Sequence, residues 1–234
     1  MSQGPTAAKR TELQMARSMC WHCQSEVTGE YFCEQCVKVQ PVSKETDYFT
    51  AFGLPRRLRI DPAALEAKFY QLSRSFHPDF YQQKSETERA ISLQNSAMLN
   101  TAYRTLKEPI QRVEYLLSLE AGAAKEIRTS PPADLFEEIL ELQEDLDAFR
   151  SAGAGDDTKA LRTKLNADRD SLERRQRDMD SRLLTLFGEW DAMQEAPVAD
   201  PQKRMALLKE MREILSNRTY LRNIIDDLVS AVSA

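Results

Sequence analysis

Cys20-Trp-His-Cys23 and Cys33-Glu-Gln-Cys36 form two Cys-x-x-Cys pairs nine residues apart, and together they hold all 4 cysteines of the chain. In each pair the two-residue gap allows a tight turn to aim both sulfurs at one point. Four thiolates then complete a tetrahedral shell, the donor set of one structural zinc ion, with Cys20, Cys23, Cys33 and Cys36 as ligands. Such a site is closed and leaves no position for water or substrate. So small a segment has little apolar surface, and metal binding supplies much of its folding energy. A redox dithiol pair, an iron site and a labile cluster use the same residues and stay open. His22 lies inside the first pair, but four cysteines already fill the shell and leave it a bystander. The spacing is specific for metal and nearly silent on function. Knuckles of this kind serve nucleic-acid binding, protein docking and simple stapling alike.

The second group is His77-Pro78-Asp79. An imidazole beside a carboxylate is the material of acid–base catalysis. The surroundings argue against that use: no partner histidine, no serine or cysteine nucleophile in a recognisable setting, and no glycine loop to build a pocket. The tripeptide follows an amphipathic helix and precedes a polar loop and a second helix. A bend between two helices holds a recognition surface more readily than a water-excluding cleft. No catalytic residue is assigned, and the chain is not expected to be an enzyme.

The elements that position these groups are legible as helices. Asp61-Pro62 is a helix start, with Asp as N-cap and Pro at the first helical position. Leu65, Phe69, Leu72 and Phe76 follow at 4-3-4 spacing and make one face apolar. Pro78 ends that helix, because the residue before a proline is pushed out of helical geometry. A polar loop, Tyr81 to Thr87, leads to a helix from about Glu88 to Lys107 packing through Leu99, Ala102, Tyr103 and Leu106. Pro109 closes it, and Arg112 to Leu119 makes a short final helix.

Three zones separate by composition: residues 1–45 with the cysteine cluster, 46–120 with the short helices, and 121–234. The segment Ala121–Ala124 and then Ser130-Pro131-Pro132 marks the second boundary. Beyond it three seams appear. The first runs Leu135, Ile139, Leu142, Leu146, Phe149, and Gly153 and Gly155 break it. The second runs Leu165, Leu172, Met179, Leu183, Leu186, Trp190, Met193, close to a heptad. After Pro197 and Pro201 the third runs Leu207, Met211, Ile214, Leu221, Ile225, Leu228. Three seams with two breaks predict a three-helix bundle.

Composition bounds the rest. The 234 residues suit one large domain or two smaller ones. With 7 glycines and 10 prolines there are few tight turns, which argues against an all-β fold. A total of 2 histidines excludes a histidine-rich site. Four cysteines crowded into one segment exclude a disulfide-dense secreted module. Residues 1–45 are neutral, 46–120 carry +1 and 121–234 carry −6. A zinc-ribbon nucleic-acid binder needs a basic footprint, so no nucleic-acid partner is expected. No apolar run approaches the roughly 20 residues needed to cross a bilayer. Lys9, Arg10, Glu12 and Arg17 interrupt any signal-peptide core. The expected location is cytoplasmic, with the mitochondrial matrix as the alternative.

The order helix, His-Pro-Asp loop, antiparallel helix resembles the J-domain of DnaK-class co-chaperones, and Asn100-Thr-Ala-Tyr103 matches the signature of its helix after the loop. Asp47-Tyr-Phe-Thr-Ala-Phe-Gly-Leu-Pro55 and Arg112-Val-Glu-Tyr-Leu-Leu117 are similar to the HscB family of iron–sulfur co-chaperones. So is the acidic helix Leu135-Phe-Glu-Glu-Ile-Leu-Glu-Leu-Gln-Glu-Asp-Leu146, although the family commonly has leucine or methionine where Phe136 falls. With the leading Cys-x-x-Cys pairs the pattern resembles the zinc-bearing, eukaryote-like branch. The resemblance runs from about Cys20 to Leu228.

The resemblance implies an all-α chain: a helical J-domain packed with a C-terminal three-helix bundle and preceded by the zinc module. It implies that the chain brings an IscU-type scaffold to a DnaK/HscA-class chaperone and stimulates the chaperone's ATPase. A general J-protein binding unfolded clients through its bundle is the alternative. His77, Pro78 and Asp79, with Lys68 and Arg74 on the basic outer face of the preceding helix, form the chaperone-binding group. Phe136, Leu140 and Tyr220, with Glu141 and Glu144, form the scaffold-binding group. Helical geometry supports this separately. At roughly 100° per residue, Phe136 and Leu140 lie about 100–140° from their core stripe, and Tyr220 about 130° from its own. These are surplus apolar groups beside carboxylates, as a protein-docking patch requires. The zinc module has three open uses: rigidifying the N-terminus, forming a homodimer, or recognising a further partner.

Overall fold

Two short strands, β1 (Ser18–Met19) and β2 (Glu26–Val27), pair antiparallel at the start of the computed structural model. The structure describes residues 18–27, 31–121, 136–151, 156–196 and 200–233. The boundary segment at 122–132, Leu135, the break at Gly153 and Gly155, and Pro197 lie outside them. From residue 48 onward every regular element described is helical. The chain divides into two compact units, Met1–Arg112 and Val113–Ala234.

In the first unit, α1 (Tyr48–Ala51) is one turn whose sequence explains itself. Asp47 caps it, accepting from the Thr50 amide at 2.9 Å, while the Arg56 guanidinium grips its other oxygen at 2.7 and 3.1 Å. Phe49 and Phe52 are buried. Gly53 then turns the chain at φ +66, where a side chain would be strained. Next come α2 (Pro62–Phe76), a 3-10 turn (Pro78–Tyr81) and α3 (Glu86–Lys107).

Asp61 caps α2 as expected, with its side chain on the Ala63 amide at 3.0 Å. Leu65, Leu72 and Phe76 are buried, and Phe69 stacks on Tyr103 with centroids 4.2 Å apart. The helix α3 begins earlier than expected, because Ser85 and Glu88 form a reciprocal capping box. Residues 78–81, which lead into the polar loop, are ordered as the 3-10 turn, pinned by buried Tyr81, whose hydroxyl donates to the Ser75 carbonyl at 2.9 Å.

The division between the units falls inside α4 (Pro109–Ala121), which buries Val113, Leu116 and Leu117. In the second unit α5 (Phe136–Ser151), α6 (Asp156–Glu195) and α7 (Pro201–Ser233) pack as a three-helix bundle. Ile139, Leu142 and Leu146 of α5, Leu165 and Leu172 of α6, and Leu221, Ile225 and Leu228 of α7 form one core. The Arg218–Asp180 and Arg182–Glu210 ion pairs, at 2.5 and 2.7 Å, join α6 to α7.

Two details differ from the periodic reading. Leu215 is fully buried and Ile214 only half. Tyr220 is half-buried and packs on the bundle core, so it is not a free surplus group. Both follow from one cause. The helix α7 faces α5 and α6 together, so its apolar face is wider than one seam.

Candidate functional site

The two cysteine pairs fold as near copies of one turn. The Cys20 amide donates to the Ser25 carbonyl at 2.7 Å and the Gln24 amide to the Cys20 carbonyl at 3.1 Å. In the second pair Cys33 donates to Lys38 at 2.9 Å and Val37 to Cys33 at 2.8 Å. The residue after each second cysteine, Gln24 at φ 61 and Val37 at φ 58, takes the left-handed conformation that closes the turn. All four sulfurs lie within 4.8 Å of one another.

A tetrahedral sulfur shell at a metal–sulfur distance of about 2.3 Å has sulfur–sulfur edges of about 3.8 Å. The Cys20–Cys36 and Cys23–Cys33 separations are both 3.6 Å, and the four cysteines fit such an ion. Donors surround the sulfurs: the His22 amide and Gln40 Nε2 reach Cys20 Sγ at 3.4 Å, and the Ser25 hydroxyl lies 3.0 Å from Cys23 and 3.2 Å from Cys33. Groups of this kind orient and stabilise thiolate ligands. The thiols differ in acidity. The Ser25 hydroxyl first, then the Cys36 amide, pulls Cys33 down to about 6, whereas burial foremost pushes Cys36 up to about 12. The His22 side chain is exposed against Trp21 and stands outside the sulfur group.

Val37 is 75% exposed and β-branched, so its left-handed backbone is a local strain without compensating burial. Val37→Gly should relieve about 1 kcal/mol of it. The expected result is about a fivefold gain in affinity for a divalent metal, read by competition with a chromophoric chelator. Unchanged or weaker binding would show that the turn holds no such strain.

His77, Pro78 and Asp79 sit at the joint between α2 and α3. His77 leaves helical geometry at ψ 125, and Phe76 before it is fully buried. Ser92 and Ser96 of α3 donate to the Phe76 carbonyl at 2.7 and 2.8 Å and tie the base of the loop. The His77 side chain is 53% exposed, and its Nδ1 accepts from the Asp79 amide at 3.4 Å. Arg74 is exposed in the last turn of α2, and Lys68 is half-buried.

Phe80 escaped the sequence reading. It is 68% exposed with its ring edge-on to the His77 imidazole at 6.0 Å, and an aromatic residue directly after the His-Pro-Asp tripeptide was the available signal.

On α5, Leu140 is 52% exposed, and Glu141 and Glu144 are exposed with it. Phe136 opens the helix, and its side chain lies outside the described residues. The structure therefore brings Leu140, Glu141 and Glu144 to the surface and sets Tyr220 half into the core.

No protein-family profile matches the chain. The iron–sulfur cluster co-chaperone protein HscB of Mus musculus is 36% identical over 147 residues, covering 60% of this chain and 62% of that protein. The HscB homolog of Arabidopsis thaliana is 37% identical over 125 residues, covering 53% and 49%. The match thus spans less than two thirds of the first of these curated relatives and about half of the second. Among solved structures, human co-chaperone protein HscB aligns with a TM-score of 0.65 at 26% identity, covering 90% of this chain and 96% of that one. Chaperone HscB from Vibrio cholerae aligns with a TM-score of 0.52 at 27% identity, covering 79% and 96%.

Proposed function

We propose that this chain, similar to HscB co-chaperones in sequence and in fold, is a co-chaperone of that family, that it delivers an IscU-type iron–sulfur scaffold to a DnaK/HscA-class chaperone, and that it stimulates that chaperone's ATP hydrolysis. The observation that carries the proposal is the exposed His77-Pro78-Asp79 loop with its base locked. The Phe76 carbonyl is held by two serines of α3, while the imidazole and the Asp79 carboxylate face solvent. A loop presented this way loses little conformational freedom on docking. Arg74, with Lys68 behind it, gives the approaching surface a positive edge for an acidic patch on the chaperone. The chemistry then takes place in the chaperone, and this chain supplies no reacting group.

Residues 46–120 act as the J-domain and residues 121–234 hold the scaffold. An exposed leucine ringed by carboxylates is a protein contact by composition, and Leu140 with Glu141 and Glu144 is its centre. By the family resemblance Phe136 and Tyr220 belong to the same contact. Zinc occupies the four cysteines, crosslinking two knuckles that have almost no apolar core of their own. Thiolate ligands of this kind persist in a reducing compartment, the cytoplasm foremost.

The test is the ATPase of a DnaK-class chaperone, measured with this chain, with an IscU-type scaffold, and with both. Stimulation by the chain that rises further with scaffold supports the proposal, and no stimulation in either case removes it. Leu140→Ala should weaken scaffold binding about tenfold with helicity unchanged. Tyr220→Ala, by contrast, should also lower the stability of the bundle by about 2 kcal/mol, because its ring packs on the core. Scaffold binding unaffected by Leu140→Ala would move the contact off α5.

A further inference from the structure

We infer that the four-cysteine module is a positioning element for the His77-Pro78-Asp79 loop, acting through Tyr31 and Phe32 on Phe76; the inference rests on the co-chaperone reading for its use but not for its geometry. Tyr31 and Phe32 lie between the two knuckles, immediately before Cys33. Phe32 bridges to Val39, and the Tyr31 carbonyl accepts from the Gln40 amide at 2.9 Å. The second knuckle and the two rings are therefore one rigid piece. Both rings meet Phe76: Tyr31 edge-on at 5.0 Å and 71°, Phe32 nearly parallel at 6.2 Å and 19°. Phe76 is the last residue of α2, and the next is His77.

A second set of bonds joins the module to α3. Gln40 touches both ends of this link. Its side-chain amide donates to Cys20 Sγ at 3.4 Å, and its carbonyl accepts from Asn95 Nδ2 at 2.9 Å. Asn95, buried on α3, also accepts from the Val42 amide at 3.0 Å. Lys38, two residues after Cys36, pairs with buried Glu88 at 3.0 Å. The Tyr31 hydroxyl donates to the Ala51 carbonyl. The Asn95 and Glu88 bonds connect the segment at and after the second knuckle to α3, the helix that follows the loop.

A metal ion holds the knuckles together because the segment has little else to fold around. When the knuckles loosen, Tyr31 and Phe32 withdraw their support from Phe76. The Ser92 and Ser96 bonds remain, but the ring that anchors the loop's base has lost its contacts with Tyr31 and Phe32. The metal site is thereby linked to how sharply His77 and Asp79 are presented, although no ligand is near them in sequence. A module that served only as a docking knob would have no need to seat its aromatic residues on Phe76.

Hydrogen exchange on the full chain tests this, comparing the zinc-loaded protein with the same protein after chelation. The amides of Phe80 and Tyr81 should exchange about tenfold faster without metal, while those of Leu99 and Ala102 on α3 and Leu172 in the bundle stay protected. Phe76→Leu keeps an apolar side chain under the loop but removes the ring contacts. In that variant metal should still bind, and loop exchange should no longer respond to it. Loop exchange indifferent to metal in the parent chain overturns the inference. So does loss of protection along all of α3, which would make the metal a staple of the whole unit. A persistent metal response in Phe76→Leu overturns it too. None of these readings involves a chaperone, so a failure to stimulate ATPase would remove the proposed function and leave this coupling standing.

Discussion

His77→Gln is expected to return the chaperone ATPase to its basal rate while scaffold binding stays within about twofold of the parent, a loss beyond tenfold from one exposed side chain. The size follows from where the residue sits. The imidazole is 53% exposed and contributes little to packing, so its removal leaves α2 and α3 intact. Glutamine preserves polarity and approximate length but not the planar ring that lies against Phe80. It also lacks the fixed ring nitrogen that accepts from the Asp79 amide and sets the carboxylate beside it. The loop's base, tied through Phe76, is untouched. Leu140, Glu141 and Glu144 belong to the other compact unit, so the scaffold should not register the change. Stimulation unchanged in this variant would remove the J-domain assignment, and a parallel loss of scaffold binding would show that the two functions share a surface.

What the sequence disclosed about this loop, and what it hid, have physical explanations. Pro78 and the Asp61 cap are local signals, and both act in the structure as their chemistry requires. The Cys-x-x-Cys spacing is equally local, and all four sulfurs converge. The left-handed turns at Gln24 and Val37 were hidden because neither residue is the glycine that usually marks that conformation. The links from Gln40 to Asn95 and from Tyr31 to Phe76 were hidden for another reason. They join residues 45 or more positions apart, and no periodicity records such a pair. Tyr220 lay between these cases. An ideal seam placed it outside the core, but a helix flanked by two neighbours buries more than one stripe. Long-range polar contacts and wide helix faces were therefore the parts that only the structure could supply.

Arg112→Met should cost the first unit about 3 kcal/mol, the largest stability loss expected from any single change here. Arg112 is buried, and its guanidinium ties three backbone carbonyls from two stretches of chain together. Nε donates to the Leu106 carbonyl at 2.5 Å and Nη2 to the Lys107 carbonyl at 3.1 Å. Those carbonyls end α3, where the last turn has no further amides to satisfy them and where a positive charge is favoured. Nη1 donates to the Leu58 carbonyl in the stretch between α1 and α2, beside a fully buried Leu58 side chain. Methionine would fill the same volume as the arginine stem and isolate the polar loss from the packing loss. Three carbonyls would then lose their donor in a site that water enters poorly. Arg112→Lys should recover only part of the stability, since an ammonium on a flexible stem does not reproduce the planar fork. Urea unfolding with an unchanged m value reads the effect directly. A loss below about 1 kcal/mol for Arg112→Met would mean that the three carbonyls find other partners, and that the arginine beginning Arg112-Val-Glu-Tyr-Leu-Leu117 is not what closes this unit.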